Sequence, residues 1–213
     1  KPGPDWVPEW VLRAADIEFD SGEDVGIAHG AYLHFMDVPI LPVPAISFPL
    51  SDARKSGVMP PTIGLGDVNG TEVSVPYYWN IAPNRDATVT PTVMTARGVT
   101  VAGEFRYLEP TYSGVVRGNY MPADKLRSAD RWGATLNQTG TLGADLGNAA
   151  YALNLNRVSD DNYWSDFASI GALTSRTLAN DAVTTWSRSG YTVTGRALRW
   201  QTLQASTSVI TPP

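Results

Sequence analysis

A strict alternation of side chains at the centre of the chain limits what the chain can fold into. Across residues 71–81 the odd positions carry Thr, Val, Val, Tyr, Trp and Ile, and the even positions carry Glu, Ser, Pro, Tyr and Asn. A period of two residues indicates a β-strand with one apolar face. The alternation resumes at residues 86–93, after the turn-forming residues 82–85, and again at residues 99–107. Runs of this kind joined by turns form hairpins, so the sequence predicts an antiparallel meander.

Further alternating runs predict more strands in the second half of the chain. They cover residues 114–121, 131–137 and 148–157, and strand-like character continues through residues 174–204. Near residues 195–197 the apolar phase shifts, which predicts a β-bulge. Residues 160–166 (DDNYWSD) are predicted to be a loop with aromatic side chains at an interface. The predicted fold class is therefore all-β.

The alternation is compatible with three kinds of β protein. Strands of roughly 9–11 residues with one apolar face and one face of Thr, Asn, Glu and Arg are typical of a transmembrane β-barrel. A small outer-membrane porin-like barrel would need no further segment. A soluble carbohydrate-binding β-sandwich uses the same alternation. The pattern alone leaves these alternatives open.

Charge and composition exclude several classes of function. The net charge is −5, with Lys+Arg 16 and Asp+Glu 21, so the chain lacks the basic footprint of a nucleic-acid-binding protein. It contains no cysteine, and hence no thiolate chemistry. The longest apolar stretch, residues 38–50, is interrupted by prolines and cannot be a membrane helix. Because the chain begins at Lys1 without a signal segment, we expect a processed or excised piece.

Neither metal binding nor catalysis is predicted. His29 and His34 lie five residues apart in a strand-like run, so they should point to opposite faces and cannot bind one ion. A GxSxG nucleophile elbow is missing, and the carboxylates are scattered through apparent turns. We therefore expect a non-enzymatic protein without a cofactor.

Three segments resemble a known family. PYYWNIAPNRDATVTP, followed by RG and EFRYL, resembles the start of the barrel in the LptD family of lipopolysaccharide-assembly proteins of the Gram-negative outer membrane. FPLSDARKSG upstream and RVSDDNYWSDF downstream are also similar to that family. The resemblance implies that residues 1–50 are the end of a periplasmic β-jellyroll with a proline-rich connector. Residues 51–213 would be the N-terminal strands of a transmembrane β-barrel.

The resemblance also implies a function and a set of site residues. The family transports lipopolysaccharide and inserts it into the outer leaflet through a lateral gate at the first barrel strand. The prolines of the first two strands match Pro76 and Pro91, which we expect to weaken that gate. An apolar passage for acyl chains would be lined by Ile40, Leu41, Ile46 and Phe48. A polar lumen would be lined by Glu72, Asn80, Thr88, Glu104 and Arg106. Arg54 and Lys55 are expected to be solvated in a polar hinge, with a lipid phosphate as the alternative partner.

The partners implied by the resemblance belong to one transport pathway. They are lipopolysaccharide, the outer-membrane lipoprotein LptE as a plug, the periplasmic bridge protein LptA, the barrel-assembly machinery and the remainder of the LptD chain. The implied location is the cell outer membrane, with the N-terminal part in the periplasm. No nucleic acid is expected.

Overall fold

The computed structural model describes residues 10–51, 54–66, 68–143, 149–167, 173 and 175–204, and within them the chain is almost entirely β-strand. The all-β prediction is confirmed. The strands are β1 (Trp10–Arg13), β2 (Asp16–Asp20), β3 (Val25–Phe35), β4 (Val38–Pro49), β5 (Gly57–Val58), β6 (Thr62–Gly66), β7 (Gly70–Ser74), β8 (Tyr77–Ala82), β9 (Arg85–Met94), β10 (Gly98–Leu108), β11 (Tyr112–Asp124), β12 (Ala129–Thr141), β13 (Ala150–Val158), β14 (Thr177–Arg188) and β15 (Tyr191–Thr202), with one short helix, α1 (Tyr163–Asp166).

The first sheet is built around β3. Strands β1 and β2 pair with β3, and β4 also pairs with it, all antiparallel. The prolines of residues 38–50 predict an extended segment with few ladder hydrogen bonds of its own. This prediction is wrong, because β4 pairs with β3 from Phe35↔Val38 to Val25↔Pro49. Two of its prolines, Pro42 and Pro44, are two residues apart. Their missing N–H groups therefore fall on one edge of the strand, and the other edge can still pair.

The second sheet is a long antiparallel meander, as the sequence predicts. Its strand order is β15-β14-β13-β12-β11-β10-β9-β7-β6, and off this path β8 pairs with β5 and with β9. The bulge expected near residues 195–197 is absent, because β14 and β15 pair in unbroken register from Thr177↔Thr202 to Arg188↔Tyr191. The apolar side chains instead change face along β15, since Val193 and Trp200 are an odd number of residues apart and project on opposite sides. Within the described residues the sheet stays open.

The meander has two chemically different faces. Residues directly opposite each other share a face, so Pro91, Val101 and Tyr120 lie on one side. On the other side, Glu104 lies between Thr88 and Arg117. The apolar face is open to its surroundings, with side chains 38–52% exposed at Val89, Val93, Val99, Val101, Val116, Tyr120 and Trp132.

The buried core of the second sheet lies on its polar face, at the end where the turns 95–97 and 125–128 are found. It consists of Met94, Met121, Val158, Tyr163, Phe167, Leu173, Leu178 and Leu203. Most of these residues belong to strand ends or to the segment between β13 and β14. From that segment, Tyr163, Phe167 and Leu173 belong to this core.

The chain divides into two compact units. One comprises the residues up to 60 together with Tyr77–Asn80, and the other comprises residues 61–76 and the chain from Ile81 onward. The boundary predicted at residue 50 stays a prediction. No helix among the described residues is long and apolar enough to span a membrane.

Candidate functional site

The strand predicted at residues 71–81 is interrupted in the middle. Strand β7 ends at Ser74 and β8 begins at Tyr77, so the break falls at Val75 and Pro76. On one side β7 pairs with β9, from Glu72↔Met94 to Ser74↔Thr92. The ladder continues for one further bond, in which the Val75 N–H donates to the Pro91 carbonyl oxygen at 3.1 Å.

Pro76 and Pro91 each lack a backbone N–H donor, and the two missing donors fall on opposite edges of this strand. In a β-strand the nitrogen and oxygen of one residue face the same edge. Since the Pro91 oxygen faces Val75, the missing N–H of Pro91 is lost from the seam between Val75 and β9. Pro76 follows Val75 by one residue, so its missing N–H lies on the edge away from β9. Both edges are weakened at the same level of the strand.

Short strands of the same chain lie on the edge away from β9. Strand β6 pairs with β7 from Thr62↔Ser74 to Gly66↔Gly70, and β5 pairs with β8 through Gly57↔Tyr78 and Val58↔Tyr77. The sequence predicts neither strand, because they are only two and five residues long, contain glycine and show little alternation of apolar and polar side chains. A usable signal was Gly70, whose φ of +73° turns the chain from β6 into β7.

Three of the predicted lumen residues are brought together on the polar face. Thr88 is the direct cross-strand partner of Glu104. The Arg117 Nε atom lies 2.6 Å from Glu104 Oε2, and Arg106 Nε lies 3.7 Å from Glu104 Oε1. Arg106 also forms a bidentate pair with Asp86, through bonds of 2.7 and 2.8 Å. These side chains form a charged network in the middle of the polar face of the meander.

The other two predicted lumen residues have different surroundings. Glu72 lies opposite Met94 and accepts a hydrogen bond of 2.7 Å from the Asn69 amide. Asn80 belongs to the first compact unit, where its side chain donates to the Arg54 carbonyl oxygen and its backbone N–H donates to Ser56. The lumen assignment of all five residues stays a prediction.

Half of the predicted apolar passage can be described. Ile46 and Phe48 are half-buried in β4, opposite Ala28 and Gly26. A Cβ atom at Gly26 would lie 2.5 Å from the Phe48 ring, so the glycine provides the room for that ring. The side chains of Ile40 and Leu41 lie outside the part that the structure describes. The passage stays a prediction.

A buried cluster of charged side chains connects the chain at one end of the meander. The sequence does not predict this cluster. The side chains of Arg97 and Arg131 are 1% exposed and that of Asp124 is 0% exposed. Asp124 accepts from Arg97 at 2.6 Å and from Arg131 at 3.0 Å. Arg131 also contacts Asp160 at 2.8 Å and Asp166 at 2.7 Å. The cluster joins the turns after β9 and β11 to the segment after β13.

The segment that contributes the two outer carboxylates was expected to be a loop with interfacial aromatic residues. It contains α1 instead, and Tyr163 and Phe167 are buried, so that expectation is wrong. The Tyr163 hydroxyl donates to Asn119, and a Cβ atom at Gly133 would lie 2.5 Å from that hydroxyl. The Arg131 guanidinium lies 4.7 Å from the Phe167 ring centroid. No local pattern predicts this contact, because Tyr163 and Gly133 are thirty residues apart in the sequence.

Burial and neighbouring positive charges shift the pKa values of the carboxylates in this segment in opposite directions. Burial alone would raise the pKa of Asp160, but hydrogen bonds from Arg131 and Ser159 outweigh it and hold the pKa below its ordinary value. The pKa of Asp166 is lowered likewise, against burial, by Arg127 and Arg131. Burial raises the pKa of Tyr163 to about 12. Both carboxylates are therefore ionised and the phenol is neutral at neutral pH.

One group of possible metal ligands appears in the first sheet. Asp16 lies opposite His29 across the β2–β3 pair, and Glu18 lies on the same face. One ligand atom from each side chain falls within 4.8 Å of the others. His34 is not part of the group, and its Nδ1 lies 3.1 Å from the Tyr32 carbonyl oxygen. Both carboxylates are exposed, and exposed acidic groups like these commonly carry no metal.

Comparisons with known proteins agree with the resemblance seen in the sequence and confirm it. The family model described as LptD protein matches residues 27–142, and the model described as LPS transport system D matches residues 129–213. The chain is similar to proteins called LPS-assembly protein LptD, a name that describes assembly and not catalysis. It is 58% identical to the one from Albidiferax ferrireducens over 100% of this chain and 28% of that protein. It is 53% identical to the one from Polaromonas sp. over 98% of this chain and 26% of that protein. The chain thus spans about a quarter of the length of these relatives.

Proposed function

The chain belongs to the LptD family, and on that premise we propose that it is the part of a lipopolysaccharide-assembly protein that passes the lipid to the outer leaflet of the outer membrane. In this proposal the first sheet is the end of a periplasmic jellyroll, and the meander is the first part of the barrel wall. The observation that carries the proposal is that one ladder donor is missing on each edge of the first strand, the N–H of Pro91 opposite Val75 on one edge and the N–H of Pro76 on the other.

The apolar face of the meander has the dimensions and chemistry of a lipid-facing wall. Its valines are exposed, which is costly in water and favourable in hydrocarbon. Aromatic residues occur at two levels of this face, with Tyr107 and Tyr112 at one and Tyr120 and Trp132 at the other. Strand β11 advances eight residues from Tyr112 to Tyr120, which corresponds to about 27 Å at the usual rise of an antiparallel strand. With the strand tilt of about 35–45° usual in outer-membrane barrels, this stretch covers about 19–22 Å of their apolar band of about 25 Å.

The first strand supplies a mechanism for a lateral gate. One backbone hydrogen bond contributes roughly 0.5–1.5 kcal/mol to stability. The missing donor of Pro91 weakens the seam with β9, and the missing donor of Pro76 weakens the opposite edge. A strand weakened on both edges at one level can bend or part there more easily than its neighbours. The lipid would leave the barrel through that opening.

The polar face supplies a path for the sugar. The network of Asp86, Glu104, Arg106 and Arg117 offers charged and hydrogen-bonding groups to hydroxyls and phosphates. Acyl chains would arrive along Ile40, Leu41, Ile46 and Phe48 in the first sheet. The route involves no bond-breaking chemistry, and its energy comes from elsewhere in the transport bridge.

In this proposal the chain transports lipid only together with the remainder of the LptD protein and its partner proteins. The described sheet is open, with β6 and β15 at its edges, so a self-contained porin-like barrel is disfavoured. Closure requires the remainder of the LptD chain and the barrel-assembly machinery. LptE as a plug and LptA as the periplasmic bridge complete the proposed assembly in the outer membrane. The exposed apolar face disfavours a soluble sandwich.

The proposal is tested by restoring the missing donors in the full-length protein. We expect Pro76→Ala and Pro91→Ala each to reduce lipopolysaccharide arrival at the cell surface. A gain of about 1 kcal/mol in the closed state lowers the open fraction about five-fold. Surface lipopolysaccharide is measured by labelling intact cells, and barrel assembly by heat-modifiable gel mobility.

Pro83→Ala is the matched control, because Pro83 lies in the turn between β8 and β9 and not in a ladder. Delivery should be unchanged in this variant. If Pro76→Ala and Pro91→Ala assemble normally and deliver lipid at the wild-type rate, the prolines do not form a gate.

A further inference from the structure

We propose that a cavity beside β8, in the first compact unit, binds a phosphate group of the transported lipid, an acylated and phosphorylated sugar. This inference rests on the proposed transport function and adds a specific binding site to it. The cavity has a volume of about 270 Å³, and its lining includes Ser47, Phe48, Arg54, Lys55, Ser56 and Asn80. It combines two cations, several small polar groups and one aromatic ring in a single space.

The arginine that lines the cavity is held in a fixed position. The Nε and Nη2 atoms of Arg54 donate to the Tyr78 hydroxyl at 2.9 and 2.7 Å. The guanidinium carbon also lies 6.0 Å from the Tyr78 ring centroid. A guanidinium whose position is fixed loses less conformational entropy when an anion binds. Arg54 therefore forms a preorganised positive wall.

The lysine has a donor that the described residues leave unused. The Lys55 ammonium, whose side chain is 28% exposed, donates to the carbonyl oxygens of Glu23 and Asp24. The Asp24 carboxylate lies 3.8 Å away, beyond hydrogen-bonding distance. An ammonium carries three N–H groups, so one remains for a ligand in the cavity. A partly buried cation with an unused donor favours an anion.

Neutral donors complete an environment suited to phosphate. The Ser56 oxygen accepts the Asn80 backbone N–H at 2.8 Å, which leaves the Ser56 hydroxyl proton to donate. Ser47 adds a second hydroxyl. Phosphate carries up to two negative charges and several acceptor oxygens, which matches two cations and two hydroxyl groups. The Asp24 carboxylate lies 3.8 Å from the Lys55 ammonium and offsets part of the charge of that lysine.

The aromatic wall indicates that the phosphate belongs to an amphiphile. Phe48 lines the cavity and also belongs to the predicted apolar passage, in β4 two residues after Ile46. Asn80 lines the same cavity from β8. About 270 Å³ is enough for a phosphate and part of a sugar, while acyl chains would continue along β4. The site would hold the headgroup beside β8 in the first compact unit.

The test compares binding of lipid A carrying two phosphates with binding of the same lipid after dephosphorylation. The full-length protein, with its plug lipoprotein, is used in detergent. We expect the wild type to prefer the phosphorylated lipid, and Lys55→Met to lose about ten-fold in affinity for it. Lys55→Arg should retain the preference. Lys125→Met, at an exposed lysine outside the cavity, should bind like the wild type.

A second variant covers the case in which Lys55→Met disturbs folding. Ser47→Leu keeps both cations and fills the cavity, and it should weaken binding of the phosphorylated lipid without affecting the dephosphorylated one. Inorganic phosphate at millimolar concentration should compete only weakly. Equal binding of the two lipids by the wild type would overturn the proposal, as would full competition by inorganic phosphate. Either result would leave the proline test of the gate unaffected.

Discussion

The seam between β7 and β9 and the seams between β10, β11 and β12 are built from the same alternating sequence but are held very differently. The first is three residue pairs long and ends at an interruption between two prolines. The others run for eight or more consecutive pairs, and an ion pair crosses the seam between β10 and β11. One sheet can therefore combine a weak edge with a strongly held interior.

Buried charges also join the interior strands at one end. Removing Arg97, Asp124 and Arg131 from water is costly, and pairing and hydrogen bonding offset that cost. These side chains connect two turns and the segment containing α1. Asn69, the residue before β7, contacts this cluster, because the Arg97 Nε atom donates to the Asn69 Oδ1 atom at 2.6 Å.

The largest expected effect comes from breaking the buried cluster. Arg131→Met removes the arginine partner of Asp160 and one of the arginine partners of Asp124 and of Asp166, which leaves more negative than positive charge in the buried cluster. We expect the free energy of unfolding to fall by about 3–5 kcal/mol, measured by urea titration of the refolded full-length protein in detergent.

Arg196→Met is the matched control, because Arg196 forms an equally short bidentate pair with Asp181 but is exposed. It should change the free energy of unfolding far less than Arg131→Met does, because solvent screens an exposed pair. Similar losses in the two variants would show that the buried cluster does not hold the wall.

Lowering the pH is expected to have a smaller effect on the stability of the folded protein. The folded-state pKa values of Asp160 and Asp166 are lowered, so their contribution is fully present above the unfolded-state value of about 4. It is lost as the pH falls through the folded-state pKa values. We expect the urea midpoint to fall between about pH 5 and pH 3.

The double variant Asp160→Asn, Asp166→Asn isolates this effect, because its midpoint should depend less on pH over the same range. A midpoint with the same pH dependence in the wild type and the double variant would assign acid sensitivity to other groups.

The smallest effect is expected at the weak seam. Pro91→Ala restores an N–H facing Val75 and adds one hydrogen bond, about 1 kcal/mol. Greater freedom of the unfolded chain offsets part of this gain, so overall stability should change little. Slower deuterium exchange in peptides covering residues 70–76 is the expected local result. Unchanged exchange there, with the variant folded, would mean that the proline does not limit this seam.

Much of the wall was predictable because strands repeat every two residues. The runs at residues 114–121, 131–137 and 148–157 coincide with β11, β12 and β13. Cross-strand pairs such as Glu104 with Thr88 follow from the hairpin geometry once the turns are placed. The predictions failed for two segments in which strand pairing or packing overrides the local pattern. Strand β4 forms a ladder despite its prolines, and α1 is a helix although it has only four residues.

The candidate site was only partly visible in the sequence. Pro76 and Pro91 stood out because proline is unusual inside a regular run. The edge that each one weakens could not be predicted, since it depends on which way the Val75 N–H points. The cavity beside Lys55 was hidden for a similar reason. Its walls come from β4, the hinge and β8, which are distant in sequence.

The sequence by itself determined the all-β fold, the meander, its polar and apolar faces and the family. Each of these rests on local alternation or on contiguous segments, which survive without knowledge of distant contacts. Only the tertiary structure decided that Arg97, Asp124, Arg131 and Asp166 meet in one buried cluster. Charged residues in turns look solvated in a sequence, because their burial depends on partners that folding brings from up to about seventy positions away.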